Sequence, residues 1–160
     1  MSNREIQRKI DQAEFHLEKL RGPESQLAVE SHFAAFIAAV RSAVMYVHEW
    51  QIANGRASTK NDWTIINRWE KSLPAADHDG WRAVVDLRNA DIHTKPVVPA
   101  ETWQGGYFGG WFGGYMGGYF GARPAQTVEH PNTGNRTKVV ELAACALRVV
   151  KRLMNEYEVL

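Results

Sequence analysis

The sequence predicts an all-α protein, an up-and-down bundle of about five helices. Three observations predict it. Apolar residues recur at three-and-four spacing through most of the chain, the spacing that lines one face of a helix. Stop signals at Gly22-Pro23, Asn54-Gly55, Pro74 and Lys95-Pro96 cut that pattern into helix-length pieces. The chain has 160 residues, 44% hydrophobic and 23% charged, enough for a single domain over 1–160 to bury a core without disulfides or a structural metal.

The first helix is expected over Asn3 to Arg21, with Ile6, Ile10, Ala13, Leu17 and Leu20 on its buried face. The second runs from about Glu24 to Ala53, about 40 Å at 1.5 Å per residue, and is the spine of the domain. Phe33, Phe36, Ile37, Val40, Val44 and Val47 form its stripe. Ala34, Ala35, Ala38, Ala39 and Ala43 lie beside that stripe and would let a neighbour approach closely. A third helix is expected over Asn61 to Leu73, with Thr59, Asn61 and Asp62 as N-cap candidates and Trp63, Ile66, Trp69 and Leu73 inward. The fourth starts near Asp77 or Asp79 and ends near His93. The last covers about Thr137 to Glu158, with Val139, Leu142, Ala143, Ala146, Val150, Leu153, Met154 and Tyr157 on its apolar face.

Between the fourth and fifth helices lies an insert, 97–136, that breaks the helical pattern. Residues 105–121 repeat with period four: Gly-Gly-Tyr-Phe, Gly-Gly-Trp-Phe, Gly-Gly-Tyr-Met, Gly-Gly-Tyr-Phe, Gly. So much glycine opposes a helix, by about 1 kcal/mol each relative to Ala. In an extended chain side chains alternate between faces. Phe108, Phe112, Met116 and Phe120 then share one face, and Tyr107, Trp111, Tyr115 and Tyr119 the other. That sorting suggests a ribbon that lays Phe and Met on the bundle and shows Tyr and Trp outward. A sticky low-complexity loop, a self-association or partner surface, and a stacking platform for single-stranded bases are the competing readings. The repeat contains no cation before Arg123, which ranks self-association above base stacking.

The formal net charge of +1 supplies no global field for nucleic acid, so any such binding needs a local patch. The single cysteine, Cys145, sits in an Ala-rich helical run and reads as a small packed residue; without a disulfide framework the chain suits a reducing, cytoplasmic compartment. No apolar run resembles a signal peptide or approaches ~18 uninterrupted residues, so no membrane span is expected. His16, His32, His48, His78 and His130 are scattered, without the three-or-four spacing of ligands on one helix, and no metal site is expected.

The end of the fourth helix carries the candidate chemistry. Trp81, Val84, Val85 and Ile92 mark its apolar stripe, and Arg88 falls in the middle of it. A guanidinium there must meet an anion, a carboxylate or another chain. Asn89 and His93 are four apart and share a face, and His93 is in the last turn, where the helix dipole favours a protonated imidazole. Glu30 lies on one line of the second helix with Ile37, Arg41 and His48; it is a candidate carboxylate for Arg88, but an ordinary bundle edge explains it better.

Arg88-Asn89 followed by His93, near the end of the penultimate helix of a small helical chain, resembles the signature of HEPN domains. The resemblance covers the helical framework, about 1–95 and 137–160; its specific match is those three residues. It implies a metal-independent endoribonuclease without cofactor, working as a homodimer or higher homo-oligomer with two motifs facing each other, as many toxin and phage-defence proteins do. By that resemblance His93 is the general acid/base on the ribose 2′-hydroxyl or the leaving oxygen, Arg88 holds the scissile phosphate, and Asn89 orients them. RNA is then the substrate and an antitoxin protein a candidate partner. Where one toxin branch has a Tyr two positions after the His, this chain has Lys95, so control by modification of that Tyr is not implied. The alternative is a non-catalytic helical binding or self-assembly module that uses the Gly/aromatic ribbon.

Overall fold

The computed structural model describes residues 3–22, 25–93, 99–107 and 119–157. Its elements are α1 (Asn3–Arg21), α2 (Gln26–Ala53), α3 (Thr64–Ser72), α4 (Ala75–His93), β1 (Ala100–Tyr107), β2 (Tyr119–Glu129), β3 (Arg136–Lys138) and α5 (Val139–Glu156). The fold is all-helical in class, with one small sheet inserted before the last helix.

The helices follow the apolar stripes. In α1, Ile6, Ile10, Ala13, Leu17 and Leu20 are the buried residues. In α2 the stripe from Phe33 to Val47 is buried as expected, and it forms one core with Val84, Leu87, Val149, Val150 and Leu153 of α4 and α5. Of the alanines beside that stripe only Ala39 and Ala43 are buried; Ala34 and Ala38 face solvent, so close approach is confined to one side. By length and composition α2 also passes the test for a helix that could cross a membrane, and 44% of its apolar window is buried against the other elements here. A Lys151–Glu14 ion pair ties α5 to α1.

Four helix starts differ from the sequence reading, three of them through local hydrogen bonds. Ser25 caps α2, its Oγ accepting from the Ala28 N–H at 3.3 Å, which moves the start past Glu24. Asp62 accepts from the Ser58 hydroxyl at 3.0 Å and the Thr64 N–H at 3.2 Å, so α3 begins at Thr64. The Pro74 carbonyl accepts from the His78 N–H at 2.9 Å, so α4 begins at Ala75, directly after α3. A proline can end one helix and open the next, because its missing N–H is not needed in a first turn.

The insert is extended at both ends, as expected, but it is a hairpin and not a single ribbon. β1 pairs antiparallel with β2, from Ala100 opposite Thr127 to Tyr107 opposite Tyr119, with an irregularity between Gln104 and Gly106. Phe108, Trp111, Phe112, Tyr115 and Met116 lie outside the described residues. β3 was not foreseen: it pairs with β2 from Thr127 opposite Lys138 to Glu129 opposite Arg136. That ladder takes the residues expected to open the last helix, which starts at Val139 instead. The turn between β2 and β3 closes through the His130 N–H donating to the Asn135 carbonyl at 2.8 Å, with Gly134 at φ 71°. Thr127 and Val128 are buried and anchor the sheet to the helical core.

The α4–α5 contact is close at Gly80. A Cβ at that position would sit 2.6 Å from the Cys145 Sγ. We expect Gly80→Ala to gain about 1 kcal/mol from helix propensity when Cys145 is also alanine, and to lose that gain with the sulfur present, because Sγ must then move. A double-mutant cycle by urea denaturation should give a coupling of about 1 kcal/mol; additivity would show that the helices are not held this close.

Candidate functional site

The buried stripe of α4 is Trp81, Val84, Val85 and Leu87; Leu87 was not in the expected set, and the Ile92 side chain lies outside the described part. Arg88 is half-buried and Asn89 is exposed. His93 is the last residue of α4, and its side chain lies outside the described part. The helix therefore puts Arg88 and Asn89 on adjacent faces at one end, with the His93 position just over a turn beyond.

The guanidinium of Arg88 is the least settled charge near this end. Its Nη1 is buried and has no hydrogen-bond partner. Glu30 does not meet it: that carboxylate accepts from Gln26 Nε2 at 2.8 Å, which makes it a bundle-edge residue. On α2, the half-buried Arg41 guanidinium lies 5.9 Å from the centre of the Trp81 ring. Burial pushes the Arg41 pKa below its ordinary value; Glu70 opposes that, and Arg88 and Arg82 deepen it. Glu70 is held by Arg82 at 3.2 Å, and Arg82 also approaches Asp86 at 3.6 Å. Arg82 thus holds both carboxylates, and among the described ion pairs Arg88 joins neither. Such a group favours an anion, because a buried guanidinium recovers its lost hydration only from an acceptor.

Beside Arg82 and Asp86 opens a cleft of about 690 Å³, whose lining also includes His130, Asn132, Glu141 and Cys145. Asp86 takes His130 Nε2 at 3.4 Å and the Asn132 amide at 3.0 Å. His130 Nδ1 accepts from the Asn132 and Thr133 N–H groups at 3.2 and 3.3 Å. The proton therefore belongs on Nε2, and neither nitrogen is left to act as a base. His130 staples the β2–β3 turn to α4. Burial raises the Cys145 pKa, Arg148 opposes and Asp77 adds, so the thiol stays protonated and packed, as the sequence suggested. His48 is buried, stacks on Trp63 with ring centres 4.0 Å apart, and places Nε2 3.2 Å from the Lys60 carbonyl.

The four aromatic candidates of the insert divide in two. Tyr107 and Tyr119 are register partners where the hairpin leaves the described residues, and Trp111 and Tyr115 fall beyond it. Among the described residues no group of three or more His, Cys, Asp or Glu could hold a metal. One pair of ring nitrogens does converge: His16 Nδ1 of α1 and His32 Nδ1 of α2 are 3.1 Å apart.

Comparison with protein-family models, with curated proteins and with solved structures finds no match.

Asp77, in the first turn of α4, bonds Arg148 of α5 at 2.6 Å, and that bond holds its carboxyl below the usual range. A carboxyl with a lowered folded-state pKa stabilises the fold above its unfolded value and loses that contribution as pH falls through the folded one. Stability should therefore drop below about pH 4, and Arg148→Met should flatten that limb in denaturation curves taken at successive pH values. An unchanged acid limb would show that the pair contributes nothing.

Proposed function

We propose that this protein is a HEPN-like, metal-independent endoribonuclease that acts as a cytoplasmic homodimer in a toxin or phage-defence system. The observation that carries the reading is Arg88: it stands at the far end of α4 with a buried Nη1 lacking a partner, while Asn89 is exposed beside it. The guanidinium fork matches the oxygens of a phosphodiester, and its charge stabilises the extra negative charge of the pentacoordinate state. His93 takes the proton of the 2′-hydroxyl or returns one to the leaving oxygen, work suited to a side chain that titrates near neutrality. Asn89 donates to or accepts from these groups and fixes their orientation. Two copies of the motif face each other across the dimer, so that one phosphate meets groups from both.

Incubation of RNA with the protein in EDTA should give cleavage that His93→Ala loses by about 10²–10⁴-fold, the ordinary range for a general acid/base. Equal inactivity of both proteins would overturn the nuclease reading.

The second reading, an assembly module, is favoured by one feature of the sheet. Among the described strands β1 has a neighbour on one side only, and such an edge offers free N–H and C=O groups to another chain. Deletion of residues 104–121 should then lower the oligomer size by light scattering while the helical circular dichroism is kept. An unchanged size would remove the hairpin from the interface.

A further inference from the structure

His16 and His32 are brought together by the packing of α1 on α2. His16 precedes the buried Leu17, and His32 precedes the buried Phe33, so both imidazoles emerge at the seam between the helices, half-buried. Their rings lie 5.3 Å apart, centre to centre, at 42°. The exposed Phe15 meets both edge-on, at 5.2 and 6.4 Å, and limits how far either ring can swing.

The spacing of the nitrogens is informative. Imidazole binds zinc at about 2.0–2.1 Å, so two tetrahedral ligands stand about 3.3–3.4 Å apart; ligands at right angles stand about 2.8–3.0 Å apart. The observed 3.1 Å falls between these values. Without an ion, one ring must donate its Nδ1 proton to the other. With an ion, that proton shifts to Nε2 of the same ring, which frees the Nδ1 lone pairs of both rings for one ion. Burial and the neighbouring His32 push the pKa of His16 down.

We propose that His16 and His32 form a two-imidazole chelate for a borderline divalent transition-metal ion of the Zn²⁺ or Cu²⁺ type, with the remaining positions open to water. Imidazole donors select such ions over Mg²⁺ or Ca²⁺, which take oxygen ligands. Arg88, Asn89 and His93 take no part, so the site stands or falls independently of RNA cleavage.

Isothermal titration of the intact protein with Zn²⁺ tests it, beside His16→Gln and His32→Gln. Either substitution should weaken binding at least tenfold, because one imidazole cannot chelate, and Mg²⁺ should give no heat. Wild-type affinity in either variant, or no Zn²⁺ binding by the wild type, overturns the proposal. Cu²⁺ electron paramagnetic resonance on the unaltered protein, at less than one ion per chain, reads the ligands without relying on a variant's folding. Two nitrogens at one ion are expected, and a single nitrogen overturns the chelate.

Discussion

The burial of one face of α4 is the constraint from which the rest of the site follows. Trp81, Val84, Val85 and Leu87 are all at or below 9% exposure, and removing that much apolar surface from water fixes the rotation of the helix. Once the rotation is fixed, Arg88 has no freedom to leave: it sits one turn past Val84 and Val85 and is carried partly inside with them. A helix that hid only its apolar residues would have turned a few tens of degrees and released the guanidinium to solvent. Here the hydrophobic term wins, and the charge is left beside the core with one nitrogen unpaired.

The surrounding charges sharpen that outcome. Arg41 is itself desolvated against Trp81, and the nearest acids are engaged elsewhere: Glu70 with Arg82, and Asp86 with Arg82, His130 and Asn132. A carboxylate already accepting several donors is a poor partner for another cation. The chain as a whole carries a net charge of only +1, so this end of the bundle is a local concentration of cations on a nearly neutral molecule.

How much of this was legible in the sequence depends on the distance between partners. Stripes such as Ile6–Ile10–Ala13–Leu17–Leu20 are local, and the buried set of α1 matches them residue for residue. The position of Arg88 within the α4 stripe was legible for the same reason. Helix starts were less so, because a cap such as Ser25 competes with neighbours of similar chemistry, and α3 starts after Trp63, which makes no side-chain cap bond. Pairings between distant segments were not legible at all. His130 on Asp86, His16 on His32, and β3 on β2 each join residues whose local spacing carries no common period. The hairpin was half legible: the Gly/aromatic repeat announced extended chain, but the fold-back needs the cross-strand register that places Tyr107 opposite Tyr119.

The root of the hairpin and the Arg88 end of α4 are joined through one helix. The base of the hairpin belongs to the packed domain: Thr127 and Val128 are buried, and the turn beyond β2 is held by His130 and Asn132 on Asp86. Gln26 of α2 also donates to the Pro99 carbonyl just before β1. Both strands that lead to the Gly/aromatic segment are therefore fixed at their roots, one to α2 and one to α4. Asp86 is two residues before Arg88 on a helix whose rotation is set by Trp81 and Val84. The root of the hairpin is thus positioned relative to Arg88 and Asn89 by the same packed core.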